Sequence, residues 1–241
     1  MMERFSAEAA AFARSPLHRD PARLARLVAF ARPRGGERGL DVACGPGIVT
    51  GALAAVGVVM VAVDLTLEML RQFPGSMALR ACADAGGLPF GAGVFDLVVC
   101  RNAVHHFDDP LPIAAEIARV LKPGGRLIVE DMTAAEDLRE RDAQEVIERL
   151  RDPAHARTLP RSEMLALVAA AGMRCDGEEP RPLTVDFDEW IDRPAPPPAA
   201  RARARWLMEA RVGATSGVRA FLAEGRLVFE RPGILLRAVR P

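Results

Sequence analysis

Two glycines and two carboxylates between positions 41 and 64 are spaced to hold a polar ligand. The run Leu40-Asp41-Val42-Ala43-Cys44-Gly45-Pro46-Gly47 places Gly45 and Gly47 where an apolar segment meets a helical pattern. Such a turn brings backbone N–H groups and a helix N-terminus toward an anionic or polar group, and glycine lets the backbone approach closely. A tight turn with no ligand uses the same residues. Asp64 closes Val61-Ala62-Val63-Asp64, 17 positions beyond Gly47. There it would project from the carboxyl edge of a neighbouring strand and accept bonds from ribose hydroxyls; a helix cap before Thr66 is the plainer role. The combination points to a nucleotide-like ligand. A dinucleotide fingerprint needs Gly or Ala at position 50, which is Thr50, and Pro46 removes an N–H that a pyrophosphate would use. A ligand without a pyrophosphate is favoured over a nicotinamide cofactor.

Alternating strand and helix signals position these residues. The apolar runs Gly39–Cys44, Val58–Asp64, Ala78–Cys82, Phe95–Cys100 and Arg126–Glu130 read as strands separated by helices, the signature of a parallel sheet with crossovers. Asp20-Pro21 and Asp109-Pro110 supply a capping side chain followed by a first-turn proline. Thr133 with Glu136 has the spacing of a capping box for a charged helix ending near Arg151. Later, Thr184–Phe187 and Gly233–Val239 read as strands around a helical segment at 199–212. The reading is one α/β domain over 1–241: an N-terminal helical cap (1–37), a ligand-binding core (38–131), and a C-terminal half (132–241) with a helical insertion at 188–224.

Composition narrows the function. The 32 basic and 32 acidic residues cancel, which argues against a nucleic-acid partner. Lys122 is the only lysine, Asn102 the only asparagine, and tyrosine is absent; all three have A/T-rich codons, so a GC-rich genome explains the arginine bias. The longest apolar run, Ala52–Val63, has 12 residues, short of the roughly 20 that span a bilayer. The N-terminus has no signal-peptide pattern, and Cys44, Cys82, Cys100 and Cys175 lack disulfide or metal-ligand spacing. A cytoplasmic protein with no integral membrane segment and no metal is expected.

Four segments in order, L-D-V-A-C-G-P-G at 40–47, V-D-L-T-L-E-M-L at 63–70, A-D-A-G-G-L-P-F at 83–90 with F-D-L-V-V-C-R-N-A-V-H-H-F at 95–107, and E-I-A-R-V-L-K-P-G-G-R-L at 116–127, resemble class I S-adenosylmethionine-dependent methyltransferases, in the ubiquinone/menaquinone-biosynthesis-like (type 11) small-molecule branch. The resemblance covers 38–131 and implies a Rossmann-like, doubly wound, seven-stranded and mainly parallel sheet with one antiparallel strand. It implies S-adenosyl-L-methionine as cofactor. Asp41, Cys44, Gly45 and Gly47 would lie at its amino-acid end, Asp64 on the ribose hydroxyls, Leu65 on the adenine, Asp84 and Ala85 at the adenine edge, and Arg101 and Asn102 by the methionine part.

Methyl transfer needs an aligned nucleophile, exclusion of water and, for some acceptors, a base. Without tyrosine the candidates are His105 or His106, after the fourth strand, and Asp131, at the end of the fifth; structural roles compete for each. His18, in a segment that folds over the cofactor in the family, and His155 are candidates for the acceptor side. The acceptor would be a small molecule methylated on carbon, oxygen or nitrogen. A quinone-like acceptor would suit Phe187, Trp190, Trp206 and Phe221 as apolar walls, residues that serve equally as core. Arg201, Arg203 and Arg205 read as a solvated helix. The alternative function is a methyltransferase-fold protein that binds the cofactor without methylating, as a cyclase-type catalyst or a binding module.

Overall fold

The alternating pattern folds into a sheet covered by helices on both faces. The computed structural model describes residues 2–75, 78–215 and 217–241. Strands β1 (Arg38–Val42), β2 (Val59–Asp64), β3 (Leu79–Cys82), β4 (Phe95–Arg101), β5 (Leu121–Met132), β6 (Arg174–Pro180) and β10 (Gly233–Val239) lie in the order β3-β2-β1-β4-β5-β10-β6. β1 to β5 pair in parallel, and β10 runs antiparallel to both β5 and β6. This is the doubly wound, Rossmann-like sheet with one antiparallel strand. Strand order reverses between β1 and β4, and a ligand crevice opens at the carboxyl ends of strands at such a switch point.

Helices α2 (Pro21–Ala31) and α3 (Ile48–Ala54) cover one face, with Leu27, Leu53, Met60, Leu97 and Ile128 buried between them and the sheet. On the other face, α5 (Pro110–Val120) and α7 (Arg161–Ala170) pack on Leu40, Val98, Val129 and Leu236. Asp20 accepts from the N–H groups of Ala22 and Arg23 (2.8 and 3.1 Å), and Asp109 from that of Leu111 (3.1 Å), so both aspartate-proline starts cap as expected. Helix α1 (Met2–Arg14) packs beside α4 (Leu67–Arg71), where Ser6 Oγ donates to Glu68 (2.8 Å). Among the described residues no helix is long and apolar enough to cross a membrane.

Three expectations need correction. The capping box is not formed: α6 (Leu138–Arg151) is capped by Asp137, which accepts from the N–H groups of Arg139 and Glu140 (both 3.0 Å). Glu136 instead accepts from Ser162 at the start of α7. β6 escaped notice because Arg-Cys-Asp-Gly-Glu-Glu-Pro has no apolar alternation; it is an edge strand, where charge is tolerated. The segment 188–224 is helical only in α8 (Phe187–Asp192) and α9 (Pro198–Glu209). It then enters a hairpin, β8 (Arg219–Ala223) and β9 (Arg226–Arg231), which joins β7 (Leu183–Asp186) in an antiparallel sheet ordered β7-β9-β8. Phe187, Trp190, Met208 and Phe229 fill the core of this second sheet.

Candidate functional site

The site is built on a backbone that leaves β1 abruptly. Ala43 takes a left-handed conformation (φ 54°), so the strand ends at Val42, two residues before the expected Cys44. Holding an alanine there costs on the order of 1 kcal/mol. Gly45 (φ 53°) and Gly47 (φ 76°) continue the turn. The two glycines differ in role. Gly45 borders an open cavity, whereas a Cβ on Gly47 would collide with the ring of Phe73. Gly47 is not on the cavity wall; it is needed for the turn and for packing.

That cavity, about 270 Å³, lies over the switch point and is mostly apolar-walled. It gathers Asp41, Cys44, Gly45, Asp64, Leu65, Asp84, Ala85, Arg101 and Asn102, all but one of the residues expected to contact the cofactor. Asp41 is buried and accepts from Thr50 Oγ1 (2.6 Å); Thr50, which broke the dinucleotide pattern, orients this carboxylate. Burial, with Asp64 adding repulsion, pushes the Asp41 carboxyl up to about 7. Asp64 accepts from the N–H groups of Gly45 and Thr66 (2.8 Å each). Burial raises it above the ordinary carboxylate range despite those bonds. Each of its oxygens retains capacity for another donor. Asp84 forms a turn by accepting from Gly86 N–H (2.8 Å) and is exposed at the cavity edge. Burial pushes the thiols of Cys44 and Cys100 well above their ordinary value, so neither is a ready nucleophile.

Asn102 has φ 53°, a conformation asparagine adopts more readily than other non-glycine residues. Its N–H donates to Glu130 O (2.8 Å). Beside it, Arg101 donates to Glu130 (3.0 Å) and to the carbonyl of His18 (2.9 Å). Glu130, which no motif or spacing singles out, also accepts from Arg23 (3.0 Å) and Arg181 (3.1 Å). The buried carboxylate therefore joins β5, β4, α2 and the loop before β7. It seats the N-terminal segment over the cavity.

A second cavity of about 340 Å³ meets the first at Phe12, His18, Asn102 and His106. His105 lines only this second cavity. Its Nδ1 lies 2.6 Å from Asp131 Oδ1, and an ionised carboxylate can only accept, so Nδ1 carries the proton and Nε2 is a free acceptor. Asp131 is itself fully engaged: it also accepts from the N–H groups of Ala103, Val104 and Met132. Burial pushes its carboxyl up, but His105 and the Met132 N–H outweigh this and hold it below the ordinary range. Asp131 thus orients His105 rather than facing the cavities' junction. His106 Nδ1 donates to the carbonyl of Ala154 (3.0 Å), and burial, then His105, drives its pKa down to about 3. Burial and surrounding arginines do the same to His18, also about 3. Both rings are packed against phenylalanines, His106 edge-on to Phe5 (5.0 Å) and His18 stacked on Phe12 (5.3 Å).

Two acceptor-side expectations fail. His155 lines neither cavity; its Nε2 sits 3.3 Å from both Glu145 oxygens and from Thr158 Oγ1 in a buried cluster. Phe187 and Trp190 are core of the second sheet, while Trp206 and Phe221 are 57% and 41% exposed; none of the four lines either cavity.

The comparisons with known proteins agree with this architecture. Residues 40–129 match the family described as methyltransferase domain. The chain is 33% identical over 181 residues to the uncharacterized methyltransferase YcgJ of Bacillus subtilis, covering 72% of each chain. It is 34% identical over 118 residues to the ubiquinone biosynthesis O-methyltransferase of Thiobacillus denitrificans, covering 46% of this chain and 50% of that one. A crystal structure of a putative methyltransferase from Bacillus halodurans superposes with a TM-score of 0.84 at 29% identity, covering 90% of this chain and 98% of that chain. The chain belongs to the S-adenosylmethionine-dependent methyltransferase family, among relatives that include ubiquinone and menaquinone biosynthesis methyltransferases.

Proposed function

We propose that the chain binds S-adenosyl-L-methionine in the 270 Å³ cavity and transfers its methyl group to a small molecule in the adjoining 340 Å³ cavity. The observation that carries the reading is the junction of the two cavities at Phe12, His18, Asn102 and His106, beside the Asp131-oriented His105. In this reading 38–131 binds the cofactor, while 1–37 and the segments around 188–224 frame the acceptor.

The cavity's donor set suits the cofactor. Its sulfonium and ammonium charges would lie among Asp41, Asp64 and Asp84, opposed among the described residues by Arg101. Asp64 would accept from the ribose hydroxyls and Asp84 from the adenine amino group, with Leu65 and Ala85 against the ring and Gly45 near the amino-acid end. When bound, the cofactor would supply an electrophilic methyl group on a positively charged sulfur. His105 Nε2 takes the acceptor's proton where it carries one, and Asp131 stabilises the imidazolium that results. His106 stays neutral near pH 7 and offers Nε2 only as a hydrogen-bond acceptor. Phe5 and Phe12 exclude water.

Titration calorimetry with S-adenosylmethionine and S-adenosylhomocysteine tests binding. Asp64→Ala is expected to weaken both by 10- to 100-fold, the loss of one or two hydrogen bonds to a charged acceptor. No binding of either compound by the wild-type chain sinks the reading. Release of S-adenosylhomocysteine in the presence of acceptor distinguishes turnover from cofactor binding alone.

A further inference from the structure

The second cavity is lined by cations. Four arginines far apart in sequence converge on it: Arg14 at the end of α1, Arg151 at the end of α6, Arg193 just after α8, and Arg231 at the end of β9. Among the described residues, Asp152 is the one carboxylate on its wall. Glu148, behind the wall, lies 3.7 Å from Arg231. Glu189 also acts on Arg193 from outside the wall; among the described residues positive charge still exceeds negative around this cavity. None of these arginines borders the first cavity.

Their own partners do not use up their donors. Arg151 stacks on Trp190 (4.8 Å) and gives Nε–H to the carbonyl of Trp190 (3.1 Å), leaving its terminal nitrogens for the cavity. Arg193 is half-buried and its guanidinium makes no hydrogen bond or ion pair among the described residues. Burial depresses Arg151 to about 10, with Arg193 and Arg231 adding to the effect, and Arg193 is lowered by burial and by Arg231. These cations repel one another where solvent is scarce. On the same wall Ser15, only 7% exposed, has an Oγ with no hydrogen-bond partner. A buried hydroxyl without a partner costs on the order of 1–3 kcal/mol unless a ligand satisfies it.

We infer that the second cavity binds a small molecule bearing a carboxylate or phosphate, gripped by Arg151, Arg193, Arg231 and Ser15. This rests on the methyltransferase reading only in making that molecule the methyl acceptor. The anion is a handle. The arginines border the second cavity and not the first, so the reacting atom sits at the junction near His106 and Asn102 while the charged group points away from the sulfonium. Guanidinium groups suit the task because their paired N–H donors match the oxygens of carboxylate and phosphate. A volume of about 340 Å³ admits a metabolite-sized acid.

Calorimetry on the full chain saturated with S-adenosylhomocysteine tests this with four probes: benzoate, phenyl phosphate, benzyl alcohol and benzylammonium. At least one of the two anions is expected to bind at least tenfold more tightly than the neutral and cationic probes. Phenyl phosphate binding alone would assign a phosphate ester, and benzoate alone a carboxylate. Arg193→Gln, which breaks no side-chain hydrogen bond or ion pair among the described residues, is expected to weaken the anion at least tenfold with S-adenosylhomocysteine affinity unchanged and the thermal midpoint within about 2 °C. Ser15→Ala is expected to weaken it several-fold. The inference is overturned if S-adenosylhomocysteine binds but the anions do no better than the controls, or if Arg193→Gln leaves their affinity intact. Anion binding by a chain that does not take S-adenosylhomocysteine would keep the anion site and overturn its assignment to a methyl acceptor.

Discussion

In the proposed function Asp41 and His105 would carry the most consequential chemistry, and each gives a measurable signature. Because the Asp41 carboxyl is held up to about 7, the folded chain keeps a proton that the unfolded chain has already released above the ordinary carboxylate range. Asp41 therefore lowers stability as pH rises across that window. A cationic cofactor favours the ionised form, so the two effects oppose. S-adenosylmethionine is expected to bind more tightly as pH rises from 6 to 8, by up to tenfold per unit, and Asp41→Asn to flatten the dependence; a flat wild-type profile in calorimetry would refute the coupling. For His105, replacement by Gln is expected to lower kcat by about 10²–10⁴ for an acceptor that must lose a proton, with S-adenosylhomocysteine affinity unchanged because His105 does not border the first cavity. At this scale the sequence was informative where a side chain's chemistry is local. Asp64 and the glycine turn were legible from spacing. Asn102 was conspicuous as the only asparagine, and its left-handed backbone explains why that residue type persists there.

Between elements, the N-terminal segment is held by two different devices. One is the buried Glu130 with its three arginines. Glu130→Gln leaves those cations undercompensated and is expected to cost about 3–5 kcal/mol, which lowers the thermal midpoint by about 10 °C in a chain of this size; a change under 2 °C in a melting scan would show the cluster to be dispensable. The other is the pair of buried neutral imidazoles. His18 and His106 titrate near 3 in the folded chain against an ordinary 6.5. Between those values the unfolded chain binds protons that the folded one does not, so stability is lost as pH falls below 6.5. Hydrogen-exchange protection factors in α1 and in the link to α2, corrected for the intrinsic pH dependence of exchange, are expected to fall from pH 7 to pH 5, and His18→Phe to blunt the change. Element-scale legibility followed hydrophobic patterning. β1 to β5 alternate with capped helices and were readable. The β8–β9 hairpin was not, because its turn is Glu224-Gly225, both with positive φ. An Asn-Gly pair would have announced that turn, and this composition avoids asparagine.

Over the whole molecule, charge that is balanced in sum is unbalanced in place. Arg201 and Arg205 pair with Asp188 and Asp192 on the surface, and Arg203 lies over Trp206, which agrees with a solvated helix. Arg14, Arg151, Arg193 and Arg231 are dispersed over more than 200 positions, and only the packing of the second sheet against α6 brings three of them together. No spacing rule could find them. That dependence makes Trp190 a test of how the two sheets share the work. Its ring is 1% exposed, meets Phe187 and Phe229, and supports Arg151 through both its face and its backbone carbonyl. Trp190→Ala is expected to destabilise the fold by about 3–5 kcal/mol. Below its lowered melting temperature, it should weaken anion binding while leaving S-adenosylhomocysteine affinity within twofold, because no residue of the second sheet's core borders the first cavity. Trp190→Phe keeps most of the packing and removes a buried indole N–H that has no partner, so it is expected to retain both affinities. Equal loss of cofactor and anion binding in Trp190→Ala would mean that the second sheet supports the whole crevice rather than its arginine-lined half.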